Sequence, residues 1–392
     1  MKERIGYVDA TKGLGMLLIM FGHVTEYDNP VDLWMSSFKV VIFYIMSGFL
    51  MSYSGSIKKR SFGVFMKKTF ISLAVPYISF SILGIMFKVG CVYVKMKPMS
   101  KITKVFWEYL WDSVFLAGIN SMWFLPTIFF GEIIFFFLIR APKIIKLLYA
   151  VAGLYVITAV NNIIDYVGTS MQGRMDQISI DNISNLISAV GKGFMAAWFI
   201  GAGYIIYIFY QKIKDDRIKL LGGLGLSILN VLLSQLNSHI DIHMLKEGEK
   251  PALFYICGII GSLGAIMLLD FLSERFNLSG LDFWGKNSLA VMCTHTVFGL
   301  RSVAYFGWQK VSYFPSVGST KYVCQCLVAM AILMMIEYSL VLIINSKFWF
   351  LLGKKKSQNK IMELAINPRN GMLKIEDARI IFRNLFEGET IA

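Results

Sequence analysis

Long uncharged apolar runs recur along this chain between positions 13 and 346, and each is long enough to cross a lipid bilayer. A helix of about 20 residues spans the hydrocarbon core, which is about 30 Å thick. The 392 residues are 56% hydrophobic and only 16% charged, which is too little charge to cover a soluble domain of this size. The sequence therefore predicts an all-α, polytopic bundle of membrane helices.

Breaks between the apolar runs divide the chain into predicted spans, about ten in all. They lie at about 11–27, 33–54, 69–94, 121–140, 144–161, 190–210, 218–236, 252–273, 287–308 and 322–346. The longest loop, about 162–189, is expected to carry a short surface helix. Since no internal repeat is visible, residues 1–353 are predicted to form one membrane domain, followed by a short basic tail at 354–392.

The distribution of Lys and Arg indicates how these spans are oriented. Basic residues are concentrated in the segments on the side of the N-terminus, such as Lys58 to Arg60, whereas the opposite segments also carry acids such as Asp32. Cytoplasmic loops of membrane proteins show this excess. Both termini are therefore predicted to be cytoplasmic, and the net charge of +14 is explained without a nucleic-acid partner.

Neither the cysteines nor the histidines show a strong metal-binding pattern. The five cysteines have neither zinc spacing nor the arrangement of a secreted disulfide framework. His239 and His243 have the four-residue spacing of ligands on a helix, but they lack the adjacent Glu of a metalloprotease. No metal site is therefore expected.

The first apolar run has no A-x-A cleavage site and is expected to remain as a helix.

Lys12 and His23 lie on one face of the first predicted helix. Eleven steps of about 100° return to nearly the same direction, and a rise of 1.5 Å per residue separates them by about 16 Å along the axis. This arrangement suits a ligand whose anionic head meets Lys12 and whose long arm reaches toward His23. An imidazole, with an ordinary pKa near 6.5, can take a proton from a hydroxyl. Alternatively, Lys12 anchors the topology and His23 is a structural contact between helices.

Ionisable side chains are costly inside a bilayer, so those within the apolar runs are candidate functional residues. Glu132 is predicted either to orient His23, as an acid that holds an imidazole tautomer does, or to pair with a lysine for structural reasons. Trp123 opens the same span and suits a position at the membrane interface. The other ionisable residues in the runs are Lys39, Lys88, His295, Arg301 and Glu337.

The ninth predicted span begins near Ser288 and contains His295. Seven residues are two helical turns, so these two side chains should line one wall. Ser288 also suits a helix cap, and His295 is either a pocket imidazole or a satisfied core histidine. Arg301 and Glu337 are expected to form a buried pair between the last two helices.

Four short elements resemble the acyltransferase 3 family of membrane O-acyltransferases, which includes sugar O-acetylases. The first runs from Tyr7-Val8-Asp9-Ala10-Thr11-Lys12 to Gly22-His23. It is similar to the family motif in which ten residues separate a basic residue from a histidine. The others are Ser47-Gly48-Phe49, Trp123-Phe124-Leu125-Pro126, and Gly285-Lys286-Asn287-Ser288-Leu289 with His295. Together they extend over nearly the whole predicted membrane domain.

The resemblance implies a membrane O-acyltransferase that takes an acetyl or other acyl group from cytoplasmic acetyl-CoA to a hydroxyl of a cell-envelope or exported glycan. It implies that His23 is the catalytic base and that Lys12 serves the acyl-CoA donor. Lys67 and Lys68 lie in the stretch that is similar to the family's paired arginines, and they are further candidates for binding the donor. Glu132 is its candidate catalytic partner, one turn beyond the family's glutamate position. Lys39, Trp123, Ser288 and His295 are the candidate pocket residues. A bacterial-type plasma membrane is the expected location.

Two other function classes fit the same residues. A non-enzymatic transporter of a small acid or a sugar-linked lipid would also place Lys39, Glu132 and Glu337 inside the membrane. A structural or assembly protein of an envelope polysaccharide system would keep the fold without the chemistry. Substrate flux without thioester consumption would favour the transporter.

Overall fold

A computed structural model of the protein describes residues 6–25, 29–55, 57–313 and 319–355. Within these ranges the chain is helical and forms no β strand, which confirms the predicted all-α fold. Eight helical segments of the described chain are long and apolar enough to cross a membrane. The predicted tail at 354–392 lies almost entirely outside the described residues.

Most of the helices follow one another with short connections, and the longest of the described connections joins α11 to α12. The first eight are α1 (Gly6–Gly22), α2 (Pro30–Ser36), α3 (Val41–Ser54), α4 (Phe62–Thr69), α5 (Val75–Val94), α6 (Met99–Val114), α7 (Phe124–Leu138) and α8 (Lys143–Ala152). The next eight are α9 (Val156–Met171), α10 (Gln177–Tyr210), α11 (Asp216–Ser234), α12 (Pro251–Ser273), α13 (Ser279–Lys286), α14 (Ser288–Thr294), α15 (Leu300–Gln309) and α16 (Thr320–Lys347). A π-helical segment, Phe70–Ala74, joins α4 to α5.

Two of the ten predicted spans do not correspond to any of the eight long apolar segments. One is the first predicted span, which corresponds to α1, a helix of only 17 residues. The ninth, predicted as one helix over 287–308, is broken into α14 and α15, so that prediction is wrong. The chain turns between them, and Gly299 there adopts the left-handed conformation with φ 68°, which a side chain would disfavour.

The loop predicted at 162–189 is mostly helical. Helix α9 continues to Met171 and α10 already begins at Gln177, so the two form a hairpin with a tight turn at Gly173, whose φ is 79°. The side chain of Asp176 caps α10 by accepting a hydrogen bond from the Ser179 N–H. The expected short surface helix is thus replaced by extensions of two long helices.

Two helix crossings bring backbones into direct contact through glycine. At the crossing of α1 with α13, a Cβ on Gly13 or on Gly285 would overlap a backbone carbonyl of the other helix. The same holds for Gly48 of α3 and Gly203 of α10. Small residues allow such close approach of membrane helices. The crossings fix α1 and α3, which carry Lys12 and Ser47 into one cavity wall.

Substitution of Gly48 by Ala should destabilise the protein, because the added methyl group must push α3 away from the Ile200 carbonyl of α10. Overpacking of this kind costs about 1–3 kcal/mol. Gly90→Ala is the matched control: it also lies within a helix, but an added Cβ there meets no atom within 4 Å. Thermal unfolding in detergent micelles should show a lower melting temperature for Gly48→Ala only. Equal melting temperatures for the two variants would contradict the proposed tight crossing.

Candidate functional site

Two cavities lie next to each other inside the bundle. The larger, here called the Lys12 cavity, has a volume of about 510 Å³ and includes Lys12 and Glu132 in its wall. The smaller, the His23 cavity, has a volume of about 160 Å³ and includes His23. Phe124 and Met292 belong to the walls of both. The two cavities are therefore neighbours that these two side chains separate.

The Lys12 cavity is lined by basic residues around one carboxylate. Glu132 of α7 accepts a hydrogen bond from Ser47 Oγ at 2.8 Å and another from Thr69 Oγ1 at 3.1 Å. Lys12 and Lys68 lie in the same wall. Because both carboxylate oxygens have hydroxyl donors, the side chain of Glu132 is held in a fixed orientation. Arg60 and Ser288 also lie in this wall.

The structure does not bring Glu132 to His23, contrary to the interpretation of Glu132 as the partner that orients the imidazole. Its carboxylate bonds to Ser47 and Thr69, and it faces the Lys12 cavity. The reason is that Glu132 lies at a different depth along α7 from the His23 cavity. Glu132 follows Trp123 by nine residues, which is about 13 Å of helix, and Trp123 faces the His23 cavity.

Two predicted donor-binding residues, Lys67 and Lys68, are placed differently. Lys68 lies in the wall of the Lys12 cavity, whereas Lys67 is not part of that wall. Lys67 is two positions, about 200° around the helix, from Thr69, which faces Glu132, so its side chain points away from the cavity.

His23 lies just beyond the end of α1 and has a second histidine behind it. The ring of His295 is fully buried, and its centroid is 5.2 Å from that of His23, with 45° between the ring planes. The Nδ1 of His295 lies 2.7 Å from the Val291 carbonyl oxygen. Since a carbonyl only accepts, His295 carries a proton on Nδ1.

A buried carboxylate organises the polar side of the His23 cavity. Asp32 is fully buried, and its Oδ2 lies 2.5 Å from Nδ1 of His239. Its Oδ1 lies 3.7 Å from the Lys39 ammonium, which packs against the Cα of Gly22. A methyl group on Gly22 would overlap that ammonium. The glycine before His23 thus makes room for a cation beside the imidazole.

Trp123 is the aromatic wall of the His23 cavity. The buried Lys192 ammonium lies 5.2 Å from the Trp123 ring centroid, and the His243 ring lies 5.6 Å from it. Lys192 also donates a hydrogen bond to the His243 carbonyl at 3.2 Å. Burial, together with the nearby Lys192 ammonium, lowers the pKa of His243. The His243 ring therefore favours its neutral form.

The four predicted pocket residues fall in three places. Lys39 and Trp123 line the His23 cavity, Ser288 lines the Lys12 cavity, and His295 is buried behind His23. Ser288 and His295 were expected on one wall, but they are seven residues, about 10 Å, apart along the helix axis, so Ser288 reaches the Lys12 cavity and His295 lies against His23.

The predicted Arg301–Glu337 pair is not formed. Glu337 is fully buried and accepts a hydrogen bond from Thr294 Oγ1 at 2.8 Å, whereas Arg301 is exposed. Within the ranges that the structure describes, no cluster of three or more His, Cys, Asp or Glu side chains is placed to hold a metal ion.

Sequence reasoning missed His239 and His243 as cavity residues, and it missed Asp32 as the buried partner of His239 and Lys39. Asp32 and His239 are 207 positions apart in the chain, so no local pattern joins them. The available signal was the short segment His239-Ile240-Asp241-Ile242-His243 between two apolar runs. The three polar side chains of this segment, His239, Asp241 and His243, are as typical of a polar cavity wall as of a metal site.

Asp32→Asn should destabilise the protein, because it leaves the Lys39 ammonium without its buried counter-charge. Breaking a buried pair from one side costs about 3–5 kcal/mol. The double variant Asp32→Asn with Lys39→Met removes both charges and should recover most of that loss. Thermal unfolding of the single and double variants in micelles measures the coupling. Additive losses of melting temperature would contradict the pairing.

Comparison with known proteins gives a family. The family model described as an acyltransferase domain, that of the acyltransferase 3 family, matches residues 5–351. Comparisons with curated proteins and with solved structures gave no significant match. The match extends over nearly the whole chain and includes both cavities. The chain therefore belongs to the acyltransferase 3 family and is an integral membrane acyltransferase.

Proposed function

We propose that this protein transfers an acetyl or similar acyl group from cytoplasmic acyl-CoA to a hydroxyl of a cell-envelope or exported glycan. One observation carries the proposal: a cavity lined by cations and a cavity lined by an imidazole share the side chains of Phe124 and Met292. A long, anionic thioester donor can occupy the first and present its reactive end to the second.

The Lys12 cavity suits the anionic part of the donor. Lys12, Lys68 and Arg60 provide cationic donors for phosphate oxygens, and charge-assisted hydrogen bonds of this kind are about twice as strong as neutral ones. Its volume of about 510 Å³ lies in the usual range of small-molecule sites. Glu132, held by Ser47 and Thr69, balances part of the positive charge when the donor is absent.

In the proposed reaction the pantetheine arm passes between Phe124 and Met292 and brings the thioester to His23. The acceptor hydroxyl occupies the His23 cavity, and its oxygen attacks the thioester carbonyl carbon while His23 takes the hydroxyl proton. The tetrahedral intermediate then breaks its C–S bond, and His23 returns the proton to the leaving thiolate. The products are the acyl ester and free coenzyme A thiol.

Lys39 is the cation best placed to stabilise the oxyanion of that intermediate. Its ammonium rests against Gly22, the residue directly before His23, and it lines the same cavity. Asp32 Oδ1 lies 3.7 Å from it, so the charge is in place before the reaction. Such preorganised charge is a major source of catalysis in sites that exclude water. Trp123 provides an apolar face on which a sugar ring can pack.

A transporter is the second candidate, because adjoining cavities and a broken helix are also features of transport paths. Here α14 and α15 are separated by a turn next to the His23 cavity. In proteoliposomes, movement of a small acid or sugar-linked lipid without thioester consumption would support transport. Release of free thiol that depends on an acceptor would support transfer.

His23→Ala should abolish acyl transfer, because it removes the proposed base, while the other two imidazoles of the His23 cavity wall are engaged elsewhere, His239 with Asp32 and His243 with Trp123. The measurement is mass analysis of surface glycans from cells that carry the parent gene, the variant, or neither. Glycans from the variant should lack the acetyl increment that the parent adds, while the variant protein remains folded by its melting temperature. Full acetylation by folded His23→Ala protein would remove His23 from the mechanism.

Lys68→Ala should raise the KM for acetyl-CoA about 10-fold or more, since a hydrogen bond to a charged group contributes about 1.5–3 kcal/mol. Lys67→Ala is the matched control, because it removes the same charge from the neighbouring position outside the cavity wall. Initial rates of thiol release over a range of acetyl-CoA concentrations give both values. Equal changes in KM for the two variants would show that only the overall charge matters.

A further inference from the structure

His295 occupies an unusual place in the fold, at the point where the ninth predicted span breaks. Helix α14 ends at Thr294, and the His295 carbonyl accepts a hydrogen bond from the Arg301 N–H across the turn. The imidazole itself is fully buried. Its Nδ1–H donates to the Val291 carbonyl at 2.7 Å, so the ring is fixed in direction by its own helix.

The other ring nitrogen of His295, Nε2, is buried and has no hydrogen-bond partner among the described residues. With the proton on Nδ1, the neutral ring presents a lone pair at Nε2. A buried polar atom without a partner costs about 1–3 kcal/mol, and each such case in a folded protein calls for an explanation. Here the neighbouring histidine ring provides that explanation.

That neighbour is His23, which lies between His295 and the cavity. His23 belongs to the wall of the His23 cavity, whereas His295 does not. The ring centroids are 5.2 Å apart. At this separation, rotation of the His23 ring about its Cβ–Cγ bond can bring a nitrogen of each ring to hydrogen-bond distance, about 2.9 Å.

We infer that His295 is a positioning residue for His23, and this inference rests on the function proposed above. Its Nε2 accepts a hydrogen bond from one ring N–H of His23, so the other His23 nitrogen turns its lone pair toward the His23 cavity. When His23 takes the acceptor proton, the same bond stabilises the imidazolium. His295 takes no proton itself. Glu132, the expected orienting acid, faces the other cavity.

Charged and titratable groups reach the His23 cavity from two segments. Lys39, from the segment between α2 and α3, lines it, and so do Asp241 and His243, from the loop after α11. Glu337 of α16 is engaged by Thr294, next to His295. A carboxylate in place of His295 would add a buried charge, whereas an imidazole supplies an acceptor without one.

A pair of amide variants separates positioning from packing. His295→Asn keeps a side-chain N–H near Nδ1 that can donate to Val291, but it removes the atom at Nε2. His295→Gln extends an acceptor oxygen to about the place of Nε2. We expect His295→Asn to lower kcat by about 10- to 100-fold, the range seen for residues that orient a catalytic histidine. His295→Gln should retain most of kcat, and neither variant should change the KM for acetyl-CoA.

Two outcomes of this comparison would overturn the inference. One is parental kcat in His295→Asn. The other is an equal loss in both variants with a raised KM or a lowered melting temperature, which would show a structural role only.

A second measurement does not depend on catalysis. The chain contains four histidines, so protein labelled with ¹⁵N-histidine and reconstituted in lipid gives a simple solid-state NMR spectrum. We expect one ring in the Nδ1–H form whose Nε2 is coupled to an N–H of a second ring, and we expect this coupling to be absent in His295→Asn. A parent spectrum without coupling between two rings would overturn the inference even in an active acyltransferase. Retained turnover in His23→Ala would instead overturn the proposed function.

Discussion

An ionisable group inside a bilayer is stable only when a partner or a polar cavity compensates it, and this constraint explains most of the polar structure of the protein. Glu132 has two hydroxyl donors, and Asp32 lies between His239 and Lys39. These groups lie at the two cavities. Glu337 is the exception, since it is buried with a single bond from Thr294, next to His295. A further buried ion pair, between Lys219 and Asp270 at 3.0 Å, lies outside both cavities.

The relative position of the two cavities depends on α1. Its face carries Lys12 into one cavity wall, and the chain just beyond its end carries His23 into the other. The backbone contact of Gly13 with α13 holds the helix in place. A helix that is held in place fixes the distance between two of its side chains. The separation of about 16 Å between Lys12 and His23 along the axis suits a ligand with an extended arm between an anionic head and a reactive end. Close packing of α1 therefore sets a functional distance.

Much of this arrangement can be predicted from the sequence. The apolar runs predict the helices, because about 20 uncharged residues in a bilayer have few other structures available. The spacing of Lys12 and His23 predicts a shared face, and the structure carries both side chains into cavity walls. These features follow from local geometry.

The remainder depends on contacts between distant segments. The ninth predicted span breaks just after His295, and the apolar run contains no proline that would indicate this break. The role of Glu132 depends on its depth relative to a cavity formed by other helices. Asp32 and His239 meet only in the folded chain. Pairwise contacts over such sequence distances cannot be read from one sequence.

In the proposed mechanism one donor extends from the Lys12 cavity into the His23 cavity. A structure of the protein in lipid with an unreactive acetyl-CoA analogue would show the path of that donor. We expect phosphates at Lys12 and Lys68, the arm between Phe124 and Met292, and the acyl carbonyl next to His23. An analogue whose acyl end stays in the Lys12 cavity, with Phe124 and Met292 still closed above it, would show that no donor connects the two cavities.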